Sequence, residues 1–76
     1  MQGMAKKKLL ADIKARPSRF YRLPADVMRD RRFGDGERLE ILQAWAGETD
    51  PVQAEQIEEI IADIRRRLAR NDHAAE

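Results

Sequence analysis

The sequence predicts an all-α fold, a small bundle of three main helices plus one short helix. Three observations predict it. Apolar residues recur at three- and four-residue spacings, and nowhere do apolar and polar residues alternate long enough for a half-buried strand. The three prolines, with Gly34 and Gly47, stand between the periodic segments. The last third of the chain carries one uninterrupted apolar stripe with its charges sorted by sign along the axis.

The first helix is read from AKKKLLADIKAR. Leu9, Leu10 and Ile13 fall on one stripe, and Lys6, Lys7, Lys8 and Lys14 lie away from it. It ends near Ala15, because Pro17 disfavours helical geometry at Arg16. SRFYRL is expected to cross as a short connection. Pro24 suits the first turn of the short helix, PADVMRD, where a missing N–H is no loss. That helix points Val27 and Met28 inward and stops at RRFG, where Gly34 is expected to use backbone angles other residues avoid.

The next helix starts at Gly34 or Asp35, with Glu37 placed to complete an approximate capping box. Leu39, Leu42 and Trp45, with Ile41 beside them, form its buried face, and Gly47 is a natural stop. The last helix opens on Asp50 as N-cap and Pro51 at the first helical position. Ile57, Ile60, Ile61, Ile64 and Leu68 make its stripe, and Asn71 caps its end. Glu55, Glu58 and Glu59 precede Arg65, Arg66, Arg67 and Arg70, as the helix dipole favours. The expected organisation is one helical domain over 1–71 and a disordered tail over 72–76.

Composition limits what such a domain can do. At 76 residues the chain is near the lower size for independent folding. Of its large apolar side chains, roughly 15 to 18 must form the core, which makes marginal stability or self-association an expectation. With no cysteine there is no disulfide, thiolate zinc site or cysteine nucleophile. KKK is followed only by LLADI, too short for a signal peptide, and no apolar run approaches a membrane span. A cytoplasmic protein without membrane contact is expected.

Charge is unevenly placed. Residues 1–34 hold ten basic and three acidic side chains, a net of +7, and residues 35–76 hold five and eleven, a net of −6. Such a split steers an anionic partner to one half, holds the two halves together, or favours antiparallel self-pairing. The near-cancellation favours the second.

Catalytic chemistry finds little to work with. The one histidine, His73, lies in the expected tail, where nothing fixes it as a general base or ligand. Glu55, Glu59 and Asp63 share a helix face, but a di-iron bundle needs Glu-x-x-His pairs that this chain lacks, so a solvated face is the better reading. Asp63 and Arg67 are spaced for an ordinary intrahelical pair. FGDG lacks the lysine and spacing of a phosphate loop. No catalytic, cofactor or metal residue is therefore expected, and no enzyme activity.

Residues 24–45 have the outline of a helix-turn-helix. Its second helix would present Asp35, Glu37 and Glu40 to the groove, with Arg38 the only base-reading candidate, so the outline is met and the chemistry is not. The better candidate for function is a cationic–aromatic surface. Arg29, Arg31 and Arg32 cannot all pair with Asp26 and Asp30, and with Arg19 and Arg22 they are expected to form an exposed patch bordered by Phe20 or Phe33. Trp45 is expected in the core. The leading expectation is a non-catalytic protein-interaction module, with a homodimer as one form. The alternative is sequence-independent nucleic-acid binding by the basic half.

The stretch PADVMRD followed by ERLEILQAW resembles a group of short, uncharacterised proteobacterial helical proteins. They share a Pro-x-x-Val segment, a Glu-(Arg/Lys)-(Leu/Ile)-x-Ile-Leu-x-x-Trp helix and an amphipathic C-terminal helix. The likeness covers about residues 20–68, with Glu37 to Trp45 its most specific part. It implies a small all-α domain and brings no established activity or ligand.

Overall fold

A computed structural model describes the backbone of residues 2–75 and the side chains of residues 6–70. The chain is all-α, in the order α1 (Gln2–Ala15), α2 (Pro17–Phe20), α3 (Pro24–Arg29), α4 (Asp35–Ala46) and α5 (Pro51–Ala75). The three main helices and the short α3 fall where the periodicity put them. The connection SRFYRL does not stay irregular. Pro17 at its N1 position presets one further helical turn, closed by Arg19 N–H to Arg16 O at 3.1 Å and Tyr21 N–H to Pro17 O at 3.0 Å.

Each boundary has a local cause. Arg16 N–H donates to Asp12 O and Ile13 O at the end of α1 before Pro17 turns the chain. The Asp26 carboxylate accepts from Leu23 N–H at 3.1 Å, at the start of α3. Glu37 does the same for Gly34 N–H at 3.0 Å, the half of a capping box that a glycine N-cap leaves available. Asp50 accepts from Gln53 N–H at 2.9 Å and opens α5. Gly34 and Gly47 mark the ends of α4 as expected, but neither takes a positive φ: Gly34 is extended and Gly47 stays in the right-handed helical region. A Cβ would meet open space at Gly34 and only ordinary contact at Gly47, so neither a left-handed turn nor close packing requires glycine there.

The molecule measures 38 × 36 × 18 Å. Its thickness is less than two helix diameters of about 10–12 Å each, so most helices meet solvent on a broad side. α4 lies most extensively against α5, and α1, α2 and α3 flank that pair. The core comprises Ile13, Tyr21, Val27, Phe33, Ile41, Leu42, Trp45, Ile57, Ile61 and Ile64, all under one-tenth exposed. Leu9, Leu10, Met28, Leu39, Ile60 and Leu68 pack partly buried around it. The stripe of α5 thus divides. Ile57, Ile61 and Ile64 are buried, while Ile60 is half-buried and lines a groove beside the start of α3.

α5 continues as helix through the positions expected to form the tail, as far as Ala75. The side chains of residues 71–76, including Asn71 and His73, and the backbone of Glu76 lie outside the described residues. Among the described residues, no helix is long and apolar enough to cross a membrane.

Candidate interaction surface

Two proline-initiated turns, α2 and α3, carry most of the expected site. Pro17 anchors α2, while Pro24 and Val27 are buried in α3, with Met28 packed beside them against the core. The charged residues of both turns lie on their outer sides. Arg19 and Phe20 are exposed on α2, Arg22 on the extended link, Arg29 at the end of α3, and Arg31 and Arg32 in the following turn.

Their partners separate these arginines into two groups. Arg32 is clamped to Asp30 by contacts of 2.9 Å and 3.2 Å from Nε and 2.7 Å from Nη2, and its backbone N–H donates to the same carboxylate at 3.0 Å. Asp30 also accepts from the Tyr21 hydroxyl at 2.7 Å. The Arg32 guanidinium, aided by the Tyr21 hydroxyl and opposed by burial, holds the Asp30 carboxyl well below the usual carboxylate range. Burial, and then the Asp30 carboxylate, push the Tyr21 phenol up to about 12. Arg29 reaches Asp26 at 3.5 Å across an open surface. Among the described residues, Arg19, Arg22 and Arg31 form no ion pair.

Of the two rings expected as alternatives to border the patch, Phe20 and Phe33, the structure removes Phe33, which is only 2% exposed. Lys6 Nζ and the Arg32 guanidinium lie over its ring, 5.7 Å and 5.5 Å from the centroid, and close it from above. A ring roofed by two cations and packed into the core has no face left for a partner. Tyr21 is likewise inside, stacked on Trp45 with ring centroids 6.4 Å apart. Phe20, 43% exposed, is the aromatic left at the surface.

The opposed charges of the two halves meet partly within the fold. Lys6 pairs with Glu37 at 3.2 Å and Lys14 with Glu40 at 3.0 Å, tying α1 to α4. The Gly34 N–H and then the Lys6 ammonium lower the Glu37 carboxyl. Asp63 does not pair with Arg67. It pairs with Arg66, one turn along the helix, and Arg67 instead reaches Asp35 of α4 at 3.8 Å. Arg67 lies on the side of α5 that meets α4, where an interhelical acid is within reach.

The helix-turn-helix candidate loses its reader in the same way. Arg38 is 16% exposed and donates to Asp35 at 3.1 Å and to the Asp30 backbone carbonyl at 3.0 Å. Its Nε is buried without a protein partner. The guanidinium braces the α3–α4 turn from inside.

Two shallow grooves flank the exposed residues. One, about 430 Å³, runs between α1 and α2 and is lined by Asp12, Arg16, Arg19 and Phe20. The other, about 410 Å³, lies between α3 and α5 and is lined by Leu23, Pro24, Gln56, Glu59, Ile60 and Asp63. Sequence reasoning did not find this second groove. Its signal was Leu23, an apolar residue at an N-cap that ends up 59% exposed. Among the described residues, no cluster of acidic, histidine or cysteine side chains is arranged to hold a metal ion.

Protein-family models, curated proteins and solved structures contain no match to this chain.

Proposed function

We propose that this chain is a non-catalytic protein-interaction module that binds through the exposed Arg19, Phe20, Arg22 and Arg31. The observation that carries this reading is the separation of the arginines: Arg32 is committed to Asp30, while these three stand exposed and without ion pairs among the described residues. Arginine beside an exposed aromatic is a composition enriched in protein interfaces. The chain's chemistry supports the non-catalytic part, since it has no cysteine and its one histidine is His73. The α1 lysines bear on the nucleic-acid alternative. Lys6 and Lys14 already neutralise Glu37 and Glu40, which leaves fewer charges of the basic half for phosphates.

The test is capture from native lysate by the tagged protein and by the Arg19→Glu, Arg22→Glu, Arg31→Glu triple variant. The variant should keep its helical circular dichroism and lose the captured protein. Equal capture by both would refute the assignment of this surface. Nuclease-sensitive capture that falls steeply with salt, by about 0.9 in log–log slope per neutralised duplex phosphate, would replace a protein partner with nucleic acid.

A further inference from the structure

Among the described residues, three large apolar side chains stand exposed: Phe20, Leu23 and Val52. The first two belong together. Phe20 lines the α1–α2 groove and Leu23 lines the α3–α5 groove. They are three residues apart, so their Cα atoms lie within about 11 Å of each other. Pro24 and the half-buried Ile60 on α5 line the second groove with Leu23, and these apolar residues together are termed the strip.

Charges of opposite sign flank this strip. Beside Phe20 stand Arg16 and Arg19 with the single acid Asp12, and Arg22 follows on the link. Beside Ile60 stand Glu59 and Asp63. Asp63 is shared with Arg66, and Glu59 forms no ion pair among the described residues.

We propose that a second copy of this chain covers the strip in a two-fold symmetric dimer. Phe20 of each copy seats in the α3–α5 groove of the other, and Arg19 of each faces Glu59 of the other. This names the partner in the interaction reading above and rests on it.

Two-fold symmetry favours this pairing. In a two-fold interface the same patch meets itself, reversed. A patch of one sign would repel its own copy. A patch with an apolar centre, cations on one flank and acids on the other attracts it, because reversal brings each flank onto its opposite. A stable interface buries on the order of 800 Å² per partner. That is about a seventh of the 5715 Å² chain surface. Association would also add apolar burial to a chain whose own core is small.

Analytical ultracentrifugation of the full chain, from micromolar to near-millimolar concentration, tests the proposal. The wild type should reach twice the 8.8 kDa chain mass. Each ion pair occurs twice in such a dimer, so Arg19→Glu or Glu59→Arg alone should weaken it about tenfold. The double variant Arg19→Glu, Glu59→Arg should return to within a few-fold of wild type. Phe20→Ser should give a monomer with unchanged Trp45 emission, which separates loss of contact from loss of fold. A wild type that stays monomeric, a dimer indifferent to all four variants, or a double variant weaker than either single one would overturn the proposal. Glu59 lies outside the arginine surface. A monomeric wild type whose lysate capture still depends on Arg19, Arg22 and Arg31 would therefore sink self-pairing and leave the module reading in place.

Discussion

Asp30→Asn strikes the most connected polar residue of the fold. Asp30 joins Tyr21, which stacks on the core Trp45, to Arg32, which roofs Phe33. Its side chain is 9% exposed. Asparagine keeps one acceptor oxygen but presents an amide where Asp30 now receives the guanidinium or the phenol. At least one charge-assisted contact is lost, and such contacts are worth roughly 1.5–3 kcal/mol each. Arg32 is 56% exposed, so solvent screening reduces its share. A cost of about 2 kcal/mol is expected at neutral pH, lowering Tm by about 10 °C in a domain of this size.

The pH dependence has a definite sign. Asp30 is depressed in the folded state, so its stabilisation is complete above the unfolded carboxylate value of about 4 and drains away as pH falls below it. The gap between wild type and variant should therefore narrow in acid. Tyr21 shows the reverse: its contribution is complete below its ordinary value of 10.0 and is lost as pH rises through about 12. It is the only tyrosine in the chain, so tyrosinate absorbance reports it alone. In the variant the carboxylate's effect disappears and that of burial remains, which should bring the titration part of the way back toward 10.0. Thermal melts from pH 2 to 7 and an alkaline titration measure both. An unchanged Tm at neutral pH, a gap that does not vary with pH, or an unshifted tyrosine would refute the account of this network.

Two further substitutions test the packing and the helix starts. Trp45→Ala removes a side chain only 4% exposed and its stack with Tyr21, and should cost about 3–5 kcal/mol by the cavity penalty; a melt matching wild type would place the ring outside the cooperative core. Gly36→Ala, in the first turn of α4, adds a methyl group to open space at a residue without positive φ. It should raise stability by about 0.5 kcal/mol through the unfolded chain and helix propensity, and a lower urea midpoint would contradict the open geometry.

The helices were legible in the sequence because their causes are local. The Asp50–Pro51 start, the spacing from Ile57 to Ile64 and the block of Pro17 on Arg16 act within a few residues, and the structure follows each. The burial of Trp45 was legible too, since Ile41 and Leu42 share its helix face. Local rules were weaker where two outcomes are locally equal. SRFYRL could cross as an irregular link or close one helical turn, and the buried Pro17 ring selects the turn. Phe20, Tyr21 and Phe33 are equivalent in pattern, all aromatic and all in connections. Tyr21 went inside because Trp45 and Asp30 meet its ring and its hydroxyl together, and Phe33 because Lys6 and Arg32 close over it. The same holds for charge. The sequence determined that Arg29, Arg31 and Arg32 could not all pair with Asp26 and Asp30. Only the tertiary structure decided that Lys6 and Lys14 would be spent on α4 and Arg67 on Asp35, with Arg19, Arg22 and Arg31 left facing solvent. Ion pairing acts across a few ångströms, and which charges come that close is set by helix packing, with no periodicity in the chain to announce it.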